Sequence, residues 1–497
     1  MLAWNTFLGN NSNGEGHGIA VDATGQVYVA AGSDASWGSP VRPFTGGYDA
    51  VVVKLSSDGS LAWNTFLGGV GFDYCTGVAV DASGNVYVVG NSSAAWGSPI
   101  RGYTGSGDLF VAKLAGDGSL IWNTFLGGGS PDAEGGIATG PGGSVCVSGA
   151  SSGTWGSPVR GYTAGTDGFA AMLGGDGSLV WNTFLGGGST DYCASVAVDV
   201  SGNVGVSGAS WSTWGSPIRG YTASTDGFVA KLLTDGSLAW NTFLGGGGGD
   251  LASGMAADPS GNFYVAGPSS ASWGSPVRAF TTTQDIFAAK VAATGTLVWN
   301  TFLGGSANEF SGAIAVDGSG NSYVVANTSG SWGSPVRPFT AMEDAWAAKL
   351  DGAGSVVWTT FLGGTDDDPG YAVAVDRCGN VYVTGDSYAT WGSPVQPVTA
   401  GFENIFAAKI ASSNCPIITS IRSKTSKPGA AATIFGFNFS ADKSKDKVRF
   451  GKYKADVSKA STTSLKVRIP RKSKKGPADA YVTVNGVRSN TVRFQVK

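Results

Sequence analysis

Two residue series in this chain have side chains suited to binding. Trp-Gly-Ser-Pro begins at Trp37, Trp96, Trp155, Trp214, Trp273, Trp332 and Trp391, and Arg follows five residues later at Arg42, Arg101, Arg160, Arg219, Arg278 and Arg337. Trp presents a flat face to sugars or cations. Arg presents a planar fork that matches a carboxylate. Asp49, Asp108, Asp167, Asp226, Asp285 and Asp344 stand seven residues beyond each Arg, while the seventh unit has Gln396 and Asn404. The favoured expectation is a clamp that pins a long loop. The sharper alternative is that Trp and Arg form a repeated ligand site.

A second series pairs charges. Asp22, Asp81, Asp199, Asp258, Asp317 and Asp376 recur with Lys54, Lys113, Lys231, Lys290, Lys349 and Lys409, and the third unit lacks both, with Gly140 and Met172. Joint loss predicts direct structural ion pairs, such as Asp81 with Lys113 and Asp199 with Lys231, because removing one partner alone leaves an uncompensated charge. A further acidic series, Asp73, Asp132, Asp191, Asp250, Glu309 and Asp368, reads as turn capping. A calcium or sugar site is the alternative, although Ca²⁺ takes six to eight oxygens, so Asp366-Asp367-Asp368 establishes little and no metal ligand is assigned.

Acid–base chemistry has few other carriers. His17 is the one histidine and reads as an exposed loop residue. The unit-specific residues His17, Trp211, Trp346 and Met342 are not expected to converge, so no catalytic residue is assigned, no cofactor is expected and the chain is read as not an enzyme. Cys75 and Cys193 occupy equivalent positions two units apart, too far to bridge. Cys378 and Cys415 are expected on one face of the seventh unit, and a disulfide there would imply an oxidising compartment.

These residues need a scaffold with their own period. Trp-Asn-Thr-Phe-Leu-Gly starts at Trp4, Trp63, Trp122, Trp181, Trp240 and Trp299, with a variant at Trp358, and both Trp series step by 59 residues. The second unit holds four strand patterns, Thr76–Val80, Asn85–Val89, Leu109–Leu114 and Leu120–Leu126, termed A to D. Asp81-Ala82-Ser83-Gly84 and Asp117-Gly118 supply their turns. Four antiparallel strands per unit indicate a propeller blade. The chain starts with a lone D strand, Leu2–Leu8, and its last unit has A, B and C only, so the N-terminal strand is expected to close the ring. The fold class is all-β: a seven-bladed β-propeller over residues 1–413 and an immunoglobulin-like β-sandwich over 414–497.

Composition supports this division. Gly is 80 of 497 residues and charged residues are 13%, which fits short buried strands joined by tight turns. From Ile417 onward there are 19 Lys/Arg against 4 Asp/Glu, a balance of +15, leaving 13 against 31, or −18, for the rest. No apolar run is long enough for a membrane span, and the first residues do not read as a signal peptide.

The blades resemble the SBBP family of bacterial β-propeller repeats. The residues carrying the resemblance are Phe110-Val111-Ala112-Lys113-Leu114, Gly68-Gly69, Asp73-Tyr74 and the run Ala79 to Val88. The resemblance implies a large secreted or surface protein and transfers no catalytic residues. The chain departs from the family at Trp-Gly-Ser-Pro, where Phe-Pro is more usual. Residues 417–497 resemble the IPT/TIG immunoglobulin-like family through Ala432 to Phe439, Val448-Arg449-Phe450-Gly451 and Val467-Arg468-Ile469-Pro470, with a hairpin signal at Asn485-Gly486. Such domains occur in cell-surface proteins and in DNA-binding transcription factors.

The functional expectation is a non-catalytic, monomeric binding or adhesion module, secreted or at the cell surface, with glycans or surface proteins as partners. Seven equivalent weak sites could act by avidity. One alternative is a passive spacer in a larger surface protein. The other is polyanion binding through Lys443, Lys445, Lys447, Arg471, Lys472, Lys474 and Lys475, although charge alone does not read bases and nucleic acid is not the expected partner.

Overall fold

The computed structural model describes all residues except 10, 11, 282, 400, 413, 414, 424, 485 and 486, and the side chain of Glu134. The Asn485-Gly486 hairpin signal lies outside the described residues. The chain forms two compact units, one of Leu2–Val375 with Val381–Ile410, the other of Met1, Asp376–Asn380 and Ala411–Lys497.

Among the described residues the larger unit contains five separate four-stranded antiparallel blades and one eight-stranded sheet, in which two further four-stranded blades are joined by a short parallel pairing of Gly47 and Tyr48 with Gly71 and Phe72. In the second blade the strands are Gly71–Val80, Val86–Ser92, Asp108–Leu114 and Leu120–Leu126. Strand A starts earlier than its apolar pattern suggests, because polar residues at the blade's inner end pair with strand B through a bulge between Cys75 and Gly77. The N-terminal strand Leu2–Leu8 pairs antiparallel with Asn404–Ile410, with Asn5 opposite Ala408 and Phe7 opposite Phe406. It therefore supplies the outer strand of the blade that begins at Gly370, and an otherwise open edge is paired.

Turn chemistry repeats around the ring. The Asp81 carboxylate accepts from Ser83 N (2.8 Å), Asn85 N (3.0 Å) and Asn85 Nδ2 (2.7 Å), an Asx cap that fixes the A–B turn. Gly118 has φ +87° in the C–D turn, and a Cβ there would meet the Trp63 ring of the preceding blade at 3.0 Å. Trp63 Nε1 donates to Gly116 O at 3.1 Å, and the equivalent bond from Trp4 to Ser57 O crosses the point of ring closure. The outer-strand Trp thus latches one blade to the next at Trp4, Trp63, Trp122, Trp181, Trp240 and Trp299.

In the smaller unit, one sheet contains Ile417–Ser423, Ala431–Phe437 and Ser464–Arg468, and the other contains Asp446–Phe450, Gly476–Val484 and Val492–Val496. Tyr453–Ser461 pairs with both, which gives a strand-switching sandwich. Ile434, Val448, Leu465, Ile469, Ala480 and Val482 are fully buried at its core. Cys378 and Cys415 are disulfide-bonded, with Cα atoms 4.7 Å apart, and both belong to this unit.

Candidate binding site at the channel mouth

The Trp-Gly-Ser-Pro residues do not form a ligand surface. All seven Trp are only 4–5% exposed. Asn123 Nδ2 holds Trp96 O at 2.9 Å, and Trp96 packs edge-on against Phe110 and Phe125. Each Arg lies over the Trp of the following blade, as Arg42 does over Trp96 at 5.5 Å and Arg101 over Trp155 at 5.6 Å. Trp214, Trp273, Trp332 and Trp391, under Arg160, Arg219, Arg278 and Arg337, repeat this packing, whereas Trp37 is equally buried but follows Gln396 and has no such cation over it among the described residues. Reading these residues as a repeated ligand site is therefore corrected: all seven Trp are buried, and six of their faces are spent on cation–π contacts between blades.

The Arg–Asp clamp is also corrected. Arg42 directs its fork at two carbonyls, Phe66 O and Gly68 O, both at 2.8 Å. Asp49 instead accepts from Thr45 N at 2.7 Å and Thr45 Oγ1 at 2.8 Å. Asp73 lies beside it, bonded to Ser92 Oγ and to Gly69 N at 3.0 Å. Each such junction therefore has one Arg near two buried carboxyls. At the ring closure all three charges are replaced together, by Gln396, Asn404 and Gly14. Burial, then the neighbouring carboxylate, pushes the second acid upward, to about 6 for Asp132, Asp191, Asp250 and Asp368 and to about 8 for Glu309. Glu309 is accommodated by the blade's unique Trp346, whose Nε1 donates to it at 2.7 Å.

The Asp–Lys series forms direct pairs only in part. Lys231 Nζ is 3.2 Å from Asp199, and Lys290 Nζ is 3.8 Å from Asp258. Asp81 and Lys113 are not an ion pair. Tyr87 stands between them, its hydroxyl on Asp81 at 3.2 Å, while Lys113 Nζ lies 5.1 Å over the Tyr87 ring and donates to Gly175 O at 3.2 Å. The third blade has exchanged this whole trio for Gly140, Cys146 and Met172.

The symmetry breaks elsewhere. Strand A of every blade lines a central cavity of about 470 Å³. One position around it reads His17, Thr76, Gly135, Ala194, Ser253, Gly312 and Tyr371, so its two large members sit on adjacent blades, with rings 5.9 Å apart. His17 is part of the strand Gly14–Val21, and its Nε2 is 3.2 Å from Glu15 Oε2, which holds the Glu15 carboxyl below its usual range. The expectation of an exposed loop histidine is corrected.

Neighbouring groups converge on the same spot. Asp386 is 2% exposed and accepts from Gly16 N at 2.8 Å. Burial raises its pKa; the Gly16 N–H opposes this, and the charges of Glu403 and Glu15 reinforce it. Burial also raises Glu403, against a hydrogen bond from Tyr388. The Tyr388 hydroxyl is pushed up to about 12, by burial and then by Glu403. Gly14 N donates to Glu403 O at 3.0 Å, so this loop of the seventh blade is tied to the first. Tyr48 lies across Gly32, where a Cβ would meet its hydroxyl at 2.7 Å, and it stacks on Phe72 at 4.8 Å. Phe72, Tyr74, His17 and Tyr371 continue ring to ring. Phe72 is 55% and Tyr388 48% exposed, so aromatic faces remain open.

The position of Asp386 reads Gly32, Asn91, Ala150, Ala209, Pro268 and Asn327 in the other blades, all neutral. Comparing the copies for gained rather than lost groups would have found this site. Among the described residues no three His, Cys, Asp or Glu side chains are grouped to hold a metal ion, and no helix is long and apolar enough to cross a membrane.

Fold and site define a β-propeller with one asymmetric mouth, followed by an immunoglobulin-like sandwich. Comparison with known families gives the particular modules: residues 63–95 and 357–390 match the beta-propeller repeat SBBP, and residues 416–496 match the IPT/TIG domain. No curated protein matches the chain. Similar solved structures include a protein of unknown function from Dyadobacter fermentans, at 10% identity and TM-score 0.41, covering 82% of this chain and 98% of that one. The WD40 beta propeller domain of Doa1 is similar at 10% identity and TM-score 0.37, over 82% of this chain and 96% of that one. Puromycin hydrolase is similar at 14% identity and TM-score 0.42, over 85% of this chain and 58% of that one.

The expectation that the chain is not an enzyme is corrected. Its basis was that His17, Trp211, Trp346 and Met342 do not converge on one blade, which overlooked a different set, His17, Glu15, Tyr371 and Asp386, that gathers across the first and seventh blades. The similarity to puromycin hydrolase, at 14% identity and TM-score 0.42, assigns no activity and no catalytic residue to this chain.

Proposed function

We propose that this chain is a binding module whose ligand enters the mouth where the seventh and first blades meet. The observation that carries this reading is the convergence there of the exposed aromatic faces of Phe72 and Tyr388 with the buried Asp386 and the half-buried Glu403. Aromatic faces stack on sugar rings and carboxylates accept from sugar hydroxyls, so a neutral or amine-bearing glycan fits best. An anionic glycan fits worst, because every charged group acting on the Tyr48 hydroxyl is acidic. The Cys378–Cys415 disulfide supports an oxidising, extracytoplasmic setting. A single mouth site takes the place of seven equivalent ones. The test is a glycan array comparing wild type with Tyr371→Ala and Trp155→Ala. Loss of binding in Tyr371→Ala, with retention in folded Trp155→Ala, supports the proposal; no glycan bound, or the reverse pattern, rejects it.

A further inference from the structure

The C-terminal sandwich carries its own feature. Its chain runs Arg471-Lys472-Ser473-Lys474-Lys475 into the strand Gly476–Val484. Four of these residues are exposed, and Ser473 alone turns inward, at 8% exposure. Its backbone N–H donates to Pro470 O at 2.9 Å, but its buried hydroxyl, in the middle of this basic run, has no hydrogen-bond partner. A buried hydroxyl without a partner calls for an explanation, because it forgoes solvation without compensation.

Ser473 is part of the wall of a hollow of about 380 Å³ lined also by Lys452, Lys474, Lys475 and Arg493. Asp479 is the one acid on its wall and stands opposite Arg493 in the strand register. Among the described residues none of these four cations forms an ion pair within 4.0 Å. The propeller uses its cations differently. Its Arg residues are seated on Trp rings and carbonyls, as Arg101 is, and Lys113 on a Tyr ring and a carbonyl. In the hollow, Lys452 lies 5.6 Å from the Tyr453 ring, whereas Lys474, Lys475 and Arg493 converge with their charge uncompensated.

We propose that this hollow is a binding site for a tetrahedral oxyanion, a sulfate or phosphate ester group. Its oxygens would accept from Ser473 Oγ and be neutralised by the surrounding Lys and Arg. This site is independent of the propeller mouth.

The test is calorimetric titration of the full chain with inorganic phosphate, inorganic sulfate and a sulfated tetrasaccharide, with a DNA duplex as a separate arm. Saturable binding is expected. Ser473→Ala should weaken it roughly tenfold, the order for a hydrogen bond to a charged group, and Lys474→Ala/Lys475→Ala should abolish it. Lys459→Ala, on an exposed strand outside the hollow, should leave it unchanged. Tighter binding of the tetrasaccharide than of the free ions assigns an ester on a sugar; equal binding assigns the free ion. The proposal is overturned if no arm saturates, if Ser473→Ala binds like wild type, or if Lys459→Ala loses as much as the double variant. DNA binding insensitive to Ser473 would likewise overturn it in favour of a diffuse field.

Discussion

The Phe263 ring occupies the space above Gly205, so closely that a Cβ at Gly205 would overlap it. Five other blades have Tyr at the Gly205 position, and none has Phe at the position of Phe263. One blade has given up its Tyr, and the next has filled the gap. Lys231 lies 5.8 Å over this Phe263 ring and pairs with Asp199 at 3.2 Å, closer than the 3.8 Å of Lys290 and Asp258, where the Tyr264 hydroxyl shares the carboxylate.

Phe263→Val should therefore destabilise the propeller by about 1–3 kcal/mol, through the cavity it leaves. Gly205→Tyr alone should also destabilise, through overlap. The double variant recreates the arrangement of the other blades and should recover much of the loss. A double-mutant cycle by urea denaturation reads this as a coupling of about 1–3 kcal/mol. Additive effects would refute the exchange.

Arg101 carries two carbonyl bonds, a Trp face and the charge balance of Asp108 and Asp132. Arg101→Ala should cost about 3–5 kcal/mol, since two buried carboxyls lose their nearest cation. Adding Asp108→Asn and Asp132→Gly, as nature does at the ring closure, should restore part of that stability in thermal melts.

Stability should rise as pH falls from 8 towards 5. Asp132, Asp191, Asp250, Asp344 and Asp368 have folded-state values of about 6, and Glu309 about 8, all raised chiefly by burial. A raised carboxyl binds its proton more tightly when folded. Its contribution is complete below the unfolded value near 4 and is lost as pH rises through 6 to 8. Asp81, Asp199 and Asp258 act oppositely: despite burial, their Asn hydrogen bonds hold them low, and their contribution is lost in stronger acid. Melting temperatures from pH 4 to 8 should peak on the mildly acidic side. Asp250→Asn should raise the melting temperature at pH 8 and leave it nearly unchanged at pH 4.

Reducing the Cys378–Cys415 bond, which spans 37 residues, should lower stability by about 3–4 kcal/mol through the freedom returned to the unfolded chain. Denaturation with and without reductant, compared with Cys378→Ser/Cys415→Ser, measures it. An unchanged midpoint would show that the strand pairing of Leu2–Leu8 suffices.

What the sequence determined by itself was whatever the period repeats. Strand count, turn positions, the shared loss of Gly140 and Met172, and closure by Leu2–Leu8 follow from local patterns copied seven times, because apolar alternation and Asx turns act over a few residues. What only the tertiary structure decided was which copy touches which. Arg42 reaches the Trp96 of the following blade rather than the Asp seven residues along its own chain, and His17 meets Tyr371 across the point where the ring shuts. Contacts between neighbouring sheets depend on how those sheets are stacked around an axis, and no spacing along the chain encodes that distance. The residues of the proposed site lie in such contacts, so they came into view only once the first and last blades were side by side.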